Sequence, residues 1–404
     1  GVGDFGWNRQ SIAGAFRRGA WSQHASLARD FSTGFRPGRD FRNLAVASES
    51  FLDTGLGSTS VLVAYNDRPF GANGFYGAYP SWERTGTHLV AVSQTAGRHR
   101  ARFSFRRHRD HYVLYRDQPA VFQNFHTAGS WNGSWAYHRP VSSKVDFTGG
   151  AEGFGETIDS TNLGERRRGR GSAFAVVQAR PGSRVSLTTG LREEAYSRRR
   201  AVTSPMLAAG LRLGGGLKAR ANIGHAFRVP SYTDLYYRDP SNRGNPELRP
   251  ESAWTYEAGL DWWGSRGTSV AATWFERRER DTIDFVRPAG AAIWEAQNFQ
   301  RLNFHGGEVE ARQRFRAGDV GISYTILRAS RRLIPGVASR YAFNFPPSSL
   351  AVTGRTVLGK RLAARTRLGA YHRSWHGTKV LWDVTLAGQG RRFQPFVQAS
   401  NLLN

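Results

Sequence analysis

The sequence predicts an all-β fold, a transmembrane antiparallel β-barrel. Three observations carry that expectation: hydropathy with a period of two, connections that alternate between short and long, and aromatic residues gathered toward strand ends. Alternation sustained over eight or more residues signals a strand, because successive side chains leave opposite faces of the backbone. Over Trp254–Trp262 one face holds Trp254, Tyr256, Ala258, Leu260 and Trp262, and the other holds Thr255, Glu257, Gly259 and Asp261. Over Glu308–Arg316 the polar face is Glu308, Glu310, Arg312, Arg314 and Arg316, against Val309, Ala311, Gln313 and Phe315. Leu217, Ala219, Ala221 and Ile223 oppose Lys218, Arg220 and Asn222, and Arg361, Arg365 and Arg367 oppose Leu362, Ala364 and Leu368.

The connections are sorted by length. Short turns fall at Ala96–Arg98, Gly214–Gly216, Gly264–Gly267, Ala317–Asp319 and Gly359–Lys360. Between them lie expected excursions at Asp67–Thr85, His108–Val121, Arg228–Ser252, Glu279–Asn298, Ala329–Pro347 and His372–Lys379. Strands of about ten residues, with short turns at one end and long loops at the other, are the pattern of an outer-membrane barrel. Its short turns face the periplasm and its long loops the outside. Trp262, Trp263, Trp274, Tyr324 and Trp382 are expected near strand ends, where interfacial girdles form. About twenty strands fit between Asn8 and Ser400. Closure into an even-numbered barrel would require about 22, since lipid does not tolerate an unpaired edge.

Composition restricts the alternatives. The 404 residues carry 57 Lys+Arg against 31 Asp+Glu, a formal net charge of +26, and nearly all the cations are arginine. Such a balance invites nucleic acid as a partner, but that reading needs a basic face interleaved with aromatics on a recognisable module. The runs Arg106–Arg109, Glu165–Arg170 and Arg198–Arg200 sit instead at strand ends and loops, and the remaining arginines alternate along strands. A polar lumen and lipopolysaccharide phosphates account for them better, so no nucleic-acid partner is expected. There is no cysteine, which excludes a disulfide framework and CxxC chemistry. No run of 18 apolar residues occurs, so no transmembrane helix is expected. The chain opens in mid-pattern (GVGDFGWNRQ), shows no leader, and reads as a piece of something longer.

The stretch Arg228–Glu251, RVPSYTDLYYRDPSNRGNPELRPE, interrupts the strand pattern. Pro230, Pro240, Pro246 and Pro250 fix φ and cannot donate to a ladder, so pairing ends there. Gly244 and Asn245 supply turn conformations. Glu251 at re-entry is placed to meet Arg228 at exit and close the neck of the loop. Phe227-Arg228-Val229-Pro230, then Leu235-Tyr236, then Gly244-Asn245-Pro246-Glu247-Leu248-Arg249-Pro250-Glu251 resemble the hallmark segment of TonB-dependent outer-membrane receptors. Tyr256-Glu257-Ala258-Gly259-Leu260 is similar to its usual continuation. Asn401-Leu402-Leu403-Asn404 resembles the segment before the last barrel strand, and Phe75–Arg84 resembles an outer loop of cobalamin- and siderophore-type members. The resemblance spans residues 1–404 as one barrel domain, without the plug domain, the TonB box and the closing strand. It implies a receptor and transporter component in the bacterial outer membrane, importing a scarce bulky nutrient (a corrinoid or a ferric siderophore). The parent protein would work with the energising TonB complex through the missing N-terminal region. A passive porin is the alternative.

Paired aromatic loops over a wide mouth suit capture of a bulky, partly apolar ligand. The expected ligand contacts are Tyr76, Tyr79 and Trp82 on one loop, and Tyr232, Tyr236 and Tyr237 on the other. Arg238 and Arg243 would attract anionic groups at modest strength, because exposed charges are screened. No enzyme, cofactor or metal is expected. His99, His108 and His111 lie among arginines that oppose a cation and are expected to be solvated. Glu308 and Glu310 share a face with Arg312 and Arg314, which reads as a lumen ion-pair ladder rather than an acid–base pair, and Glu193/Glu194 carry no further catalytic signal. Asp281 and Asp284 are too few for calcium. No phosphate-cradling glycine loop or nucleophile elbow is present.

Overall fold

The computed structural model describes residues 1–196, 200–299, 301–330, 336–340, 345–359, 361–373, 377–390 and 393–403. Among the described residues, twenty strands form one antiparallel sheet in chain order, the architecture of a large β-barrel wall. It begins with Asn8–Arg18, bonded to Trp21–Ser32, and ends with Phe396–Ala399, bonded to Gly377–Gly388. Every strand between them is paired on both sides. Short turns such as Gly19-Ala20, Gly97-Arg98 and Gly215-Gly216 join strands at one end. Gly216 shows why glycine is needed there: its φ is +79° and an added Cβ would stand 2.1 Å from the Trp263 carbonyl oxygen.

Register turns the alternation into continuous rows around the wall. One row runs Leu217, Trp262, Val270, Ala311, Ile322, Val352, Leu368 and Trp382, each residue the partner of the next. The next row on the same face runs Ala219, Leu260, Ala272, Val309, Tyr324, Leu350, Ala370 and Val380. This face is apolar. The opposite face carries Arg312, Gly321, Thr353, Arg367 and Asp383 in one row, and Arg314, Asp319, Arg355, Arg365 and Thr385 in another. The polar face is the interior one, because Leu302 and Phe304, of the same parity as Arg312 and Arg314, pack beneath the loops that cover the mouth. Arg312, Arg314, Arg365 and Arg367 therefore line the lumen. From Trp254 to Trp262 the apolar face spans eight residue steps, roughly 20 Å after strand tilt.

Above the wall, excursions join into a second sheet. Asn242–Arg243 pairs in parallel with Trp294–Phe299, which pairs with Thr282–Pro288, which pairs with Val337–Ser339. Leu248, Phe285 and Ala296 form its small core, with Leu235, Ile283 and Trp294 against them. The expected loop over Glu279–Asn298 is thus mostly strand, a hairpin whose two edges also pair with segments far away in sequence.

Other expectations need correction. The strands run past the expected loop boundaries, reaching Gly71 and restarting at Trp82, and reaching Val113. His108 and His111 are strand residues, not loop residues. The excursion expected at His372–Lys379 shrinks, since strands extend to Arg373 and resume at Gly377. Trp274, Tyr324 and Trp382 lie in the middle of their strands, whereas Trp262 and Trp263 end theirs at a short turn. Arg198, Lys360, Asn404 and much of Ala329–Pro347 lie outside the described residues.

Candidate functional site

Two groups of loops are cross-braced at the long-loop end. In the first, residues 33–40, 72–81 and 114–122 bind one another. The Gly71 amide donates to the Asp40 carbonyl at 2.7 Å, Asn73 Nδ2 to the Pro37 carbonyl at 2.9 Å, and the Arg116 amide to the Pro80 carbonyl at 3.0 Å. Arg116 also grips Asp40 with its guanidinium, Nη2 to Oδ2 at 3.0 Å, and that hydrogen bond holds the Asp40 carboxyl below its ordinary range. The loop thus framed presents Tyr76 and Tyr79. Tyr76 is 61% exposed as a residue, yet its hydroxyl turns inward and donates to Glu83 Oε2 at 2.6 Å. Burial of that hydroxyl, and then the bond to Glu83, pushes its pKa up. The Tyr76 ring meets Tyr112 edge-on at 5.4 Å, and Tyr79 meets Tyr115 at 5.8 Å.

In the second group, Ser231 caps the short helix Tyr232–Tyr236 through a capping box: its hydroxyl accepts from the Asp234 amide, and Asp234 Oδ2 accepts from the Ser231 amide. Asp234 also receives Arg228 Nη1 at 3.1 Å. Arg228 Nε donates to Glu251 Oε1 at 2.6 Å, so the neck closes as the sequence predicts. Gly244 has no room for a side chain, since a Cβ would meet backbone atoms of Leu235, Tyr236 and Tyr237 at 2.7–2.9 Å. Leu235 and Leu248 anchor the loop in the core of the upper sheet. The hallmark segment is in large part a folding device.

Arginines on the wall hold the helix down. Arg166 lies over the Tyr236 ring at 4.3 Å and Arg168 over Tyr232 at 4.9 Å, while Arg168 Nη1 donates to the Pro230 carbonyl at 2.5 Å. Asn162 clamps the next turn, its Nδ2 donating to the Arg238 carbonyl at 2.7 Å and its Oδ1 accepting from the Arg238 amide at 3.2 Å. Sequence reasoning missed these holders. The available signal was the two-residue spacing of Arg166 and Arg168 against the four-residue spacing of Tyr232 and Tyr236.

The expected contacts therefore separate. Tyr76, Tyr79, Arg238 and Arg243 are exposed at the mouth. Tyr232 and Tyr236 are half-buried on the wall. Tyr237 is half-buried too, and its pKa is pushed up to about 12, first by burial and then by Asp239. Trp82 begins a strand on the face opposite Glu83, edge-on to His111 at 5.8 Å, and His111 stacks on Phe125 at 4.3 Å. It stands away from Tyr76 and Tyr79.

The remaining candidates are structural. His99 packs on Tyr137 at 5.0 Å and His108 Nδ1 lies 2.8 Å from Thr87 Oγ1, so neither is simply solvated. The expected ladder takes a different partner: Arg312 Nη2 donates to Asp319 at 2.7 Å, while Glu308 accepts from Thr325 Oγ1 at 2.9 Å. Glu194, nearly buried on the inner wall, is bracketed by Arg170 at 3.1 Å and Arg192 at 2.9 Å. Asp281 pairs with Arg249, whereas Asp284 is buried and accepts from Ser339. Among the described residues, no three His, Asp or Glu side chains gather as metal ligands would.

No curated protein matches the chain. Solved structures do. The siderophore receptor PirA from Pseudomonas aeruginosa is similar at 17% identity, over 98% of this chain and 71% of that one, with a TM-score of 0.76. A mutant of the ferric enterobactin receptor PfeA from the same organism is similar at 14% identity, over 98% and 72%, with a TM-score of 0.81. The FrpB iron transporter from Neisseria meningitidis is similar at 9% identity, over 98% and 75%, with a TM-score of 0.77. At these identities the likeness is one of fold. The family model described as TonB dependent receptor-like, beta-barrel matches residues 3–400, and the chain belongs to that family of TonB-dependent receptor barrels.

Proposed function

We propose that this barrel is the outer-membrane part of a receptor that imports a bulky, anionic, partly apolar nutrient of the ferric-siderophore class, energised through TonB. The observation that carries the reading is the exposure of Tyr76 and Tyr79 on one braced loop and of Arg238 and Arg243 on the other. Tyr76, Tyr79 and Tyr237 offer rigid aromatic area, which orders at low entropic cost. Arg238 and Arg243, both exposed, add positive charge for an acidic ligand. Tyr232, Tyr236 and Trp82 act in this reading as supports, since each is already engaged by the wall. The names of the similar structures, two siderophore receptors and an iron transporter, favour a siderophore over a corrinoid. The charged inner wall suits a plug domain, the piece that would carry the TonB contact. A passive pore gains nothing from cross-braced loops over its mouth.

The test is uptake in a strain lacking its own ferric-siderophore and corrinoid receptors, complemented with the complete gene product. The Tyr76→Ala/Tyr79→Ala/Tyr237→Ala variant should lose at least tenfold in ferric-siderophore uptake at unchanged surface abundance, about 1.4 kcal/mol of binding. Uptake unchanged in that variant would overturn the site. Rescue by a corrinoid alone would overturn the ligand class.

A further inference from the structure

We infer that the short-turn, periplasmic end of the lumen carries a binding site for a compact solute with several negative charges, where an imported anionic chelate leaves the barrel. The inference rests on the receptor reading above and adds to it a site on the exit side. Three neighbouring strands, Val185–Tyr196, Arg200–Gly214 and Leu217–Arg228, reach this end together. Arg212 is the register partner of Lys218, and its amide donates to the Arg184 carbonyl at 2.8 Å. Arg184, Arg212 and Lys218 therefore stand in one row. It faces the lumen, because Lys218 alternates with the outward Leu217 and Ala219.

Like charges set directly opposite each other across a ladder destabilise a sheet. Three in succession, over two strand spacings or about 10 Å, leave a cost that a counter-charge would remove. The protein does not supply it. Among the described residues none of the three has a carboxylate partner: Asp261, opposite Lys218, is held by Arg220 at 3.1 Å, and Arg212 Nη1 reaches the Ser183 carbonyl at 3.5 Å. Higher in the same sector the cations are matched. Arg168 binds Glu156, Arg170 and Arg192 share Glu194, and Arg192 also binds Glu152 at 2.6 Å. The inner wall thus passes from paired charge near the mouth to unpaired positive charge at the lip, a gradient that draws an anion downward.

The lip is also hollow. A cleft of about 680 Å³ holds the row, with Arg180, Ser186 and Trp263 around it and no acidic residue among the described residues that line it. Gly210 keeps the floor open, since a Cβ there would stand 2.7 Å from Ser186 Oγ and 3.1 Å from Lys218 Cε. Trp263, 54% exposed, adds aromatic surface. The volume is that of a small-ligand site, about 300–1,000 Å³. A monovalent ion would leave most of the row unmatched, so the fit is to a solute bearing several anionic oxygens. An iron chelate built on catecholate or carboxylate groups has that chemistry, and it must pass this lip to leave the lumen.

The experiment uses the complete gene product in detergent and reads acetylation of Lys218 by peptide mass spectrometry. Lys379, exposed near the long-loop end, is the internal reference. The probes are the trianionic iron(III) tris-catecholate complex and the neutral iron(III) tris-hydroxamate complex. At about ten times its dissociation constant the trianionic probe should slow Lys218 acetylation roughly tenfold, the factor by which occupancy depletes the free site. The neutral probe should leave the rate unchanged. Arg184→Gln/Arg212→Gln should weaken affinity by about tenfold and reduce that protection to about twofold. Arg365→Gln/Arg367→Gln, equal in charge lost but outside the cleft, should keep it whole, as should Tyr76→Ala/Tyr79→Ala/Tyr237→Ala at the mouth. Absence of protection at about 1 mM trianionic probe, in a protein that still imports a ferric siderophore in cells, would overturn the exit site and leave the receptor reading standing. Equal protection by the two probes would overturn its charge basis.

Discussion

Arg228 and Glu251 face each other as register partners across the neck of the 229–250 loop, and the Arg228 Nε–Glu251 Oε1 bond of 2.6 Å fastens that neck. Glu251 Oε2 also accepts from the Ile283 amide at 2.9 Å, which ties the neck to the upper sheet. Arg228→Ala should therefore loosen the loop rather than the wall. Arg228 is nearly half exposed, so the effect is discounted for solvent to about 1 kcal/mol. Amide hydrogen exchange in residues 231–249 should quicken about fivefold, with exchange in the flanking strands unaltered.

Gly244→Ala should be the more damaging change in the same loop. Its Cβ would press on three backbone atoms, and backbone cannot give way as a flexible side chain can. A loss of about 2–3 kcal/mol is expected. Limited proteolysis should cut near Tyr237–Asn245 while the barrel keeps its resistance to heat and detergent.

Tyr237 makes a pH prediction with a definite sign. Its folded pKa, about 12, lies above the ordinary tyrosine value of 10.0, so the folded loop favours the neutral phenol. That stabilising contribution is complete below pH 10 and is lost as pH rises through 12. Spectrophotometric titration should show a late-ionising tyrosine that disappears in Tyr237→Phe, and loop protection should fall between pH 10 and 12. A Tyr237 that ionises with the exposed tyrosines would show that its phenol is not buried beside Asp239.

Face assignment predicts opposite outcomes for neighbouring substitutions. Val309→Arg places a cation on the apolar row, at a cost of roughly 2–4 kcal/mol at mid-membrane. Arg312→Leu removes an interior charge and its bond to Asp319, at about 1 kcal/mol. Folding free energies measured in lipid vesicles should rank Val309→Arg well below Arg312→Leu. The reverse order would mean that the register is displaced by one residue.

The wall was legible because both faces of a barrel strand carry their own chemistry, so Trp254–Trp262 and Glu308–Arg316 advertise period two in the sequence itself. The loop boundaries were less so. Strands such as His99–Val113 continue with mixed polarity on both faces at their upper ends, and His108 and His111 give no alternation to follow. Thr282–Pro288 and Trp294–Phe299 were hidden for another reason: they are short, they pair with each other within one excursion, and their outer partners, Asn242–Arg243 and Val337–Ser339, lie far away in sequence. At the mouth, the motif around Gly244 marked the loop that carries the short helix Tyr232–Tyr236. Whether a tyrosine there is displayed or pinned depends on Arg166, Arg168 and Asn162, which the sequence places some 70 residues away.

The upper sheet has a mechanical consequence. It draws strands from three separate excursions, so none of the three can swing without breaking hydrogen bonds to the others. That side of the mouth behaves as a fixed jaw. The opposing group is braced within itself by Asp40–Arg116, Asn73–Pro37 and Arg116–Pro80, and meets the wall through Tyr76–Glu83 and Ser81–Tyr112. A bulky solute therefore meets a mouth whose loops are braced in groups, so a change in one excursion of the upper sheet is felt in the other two.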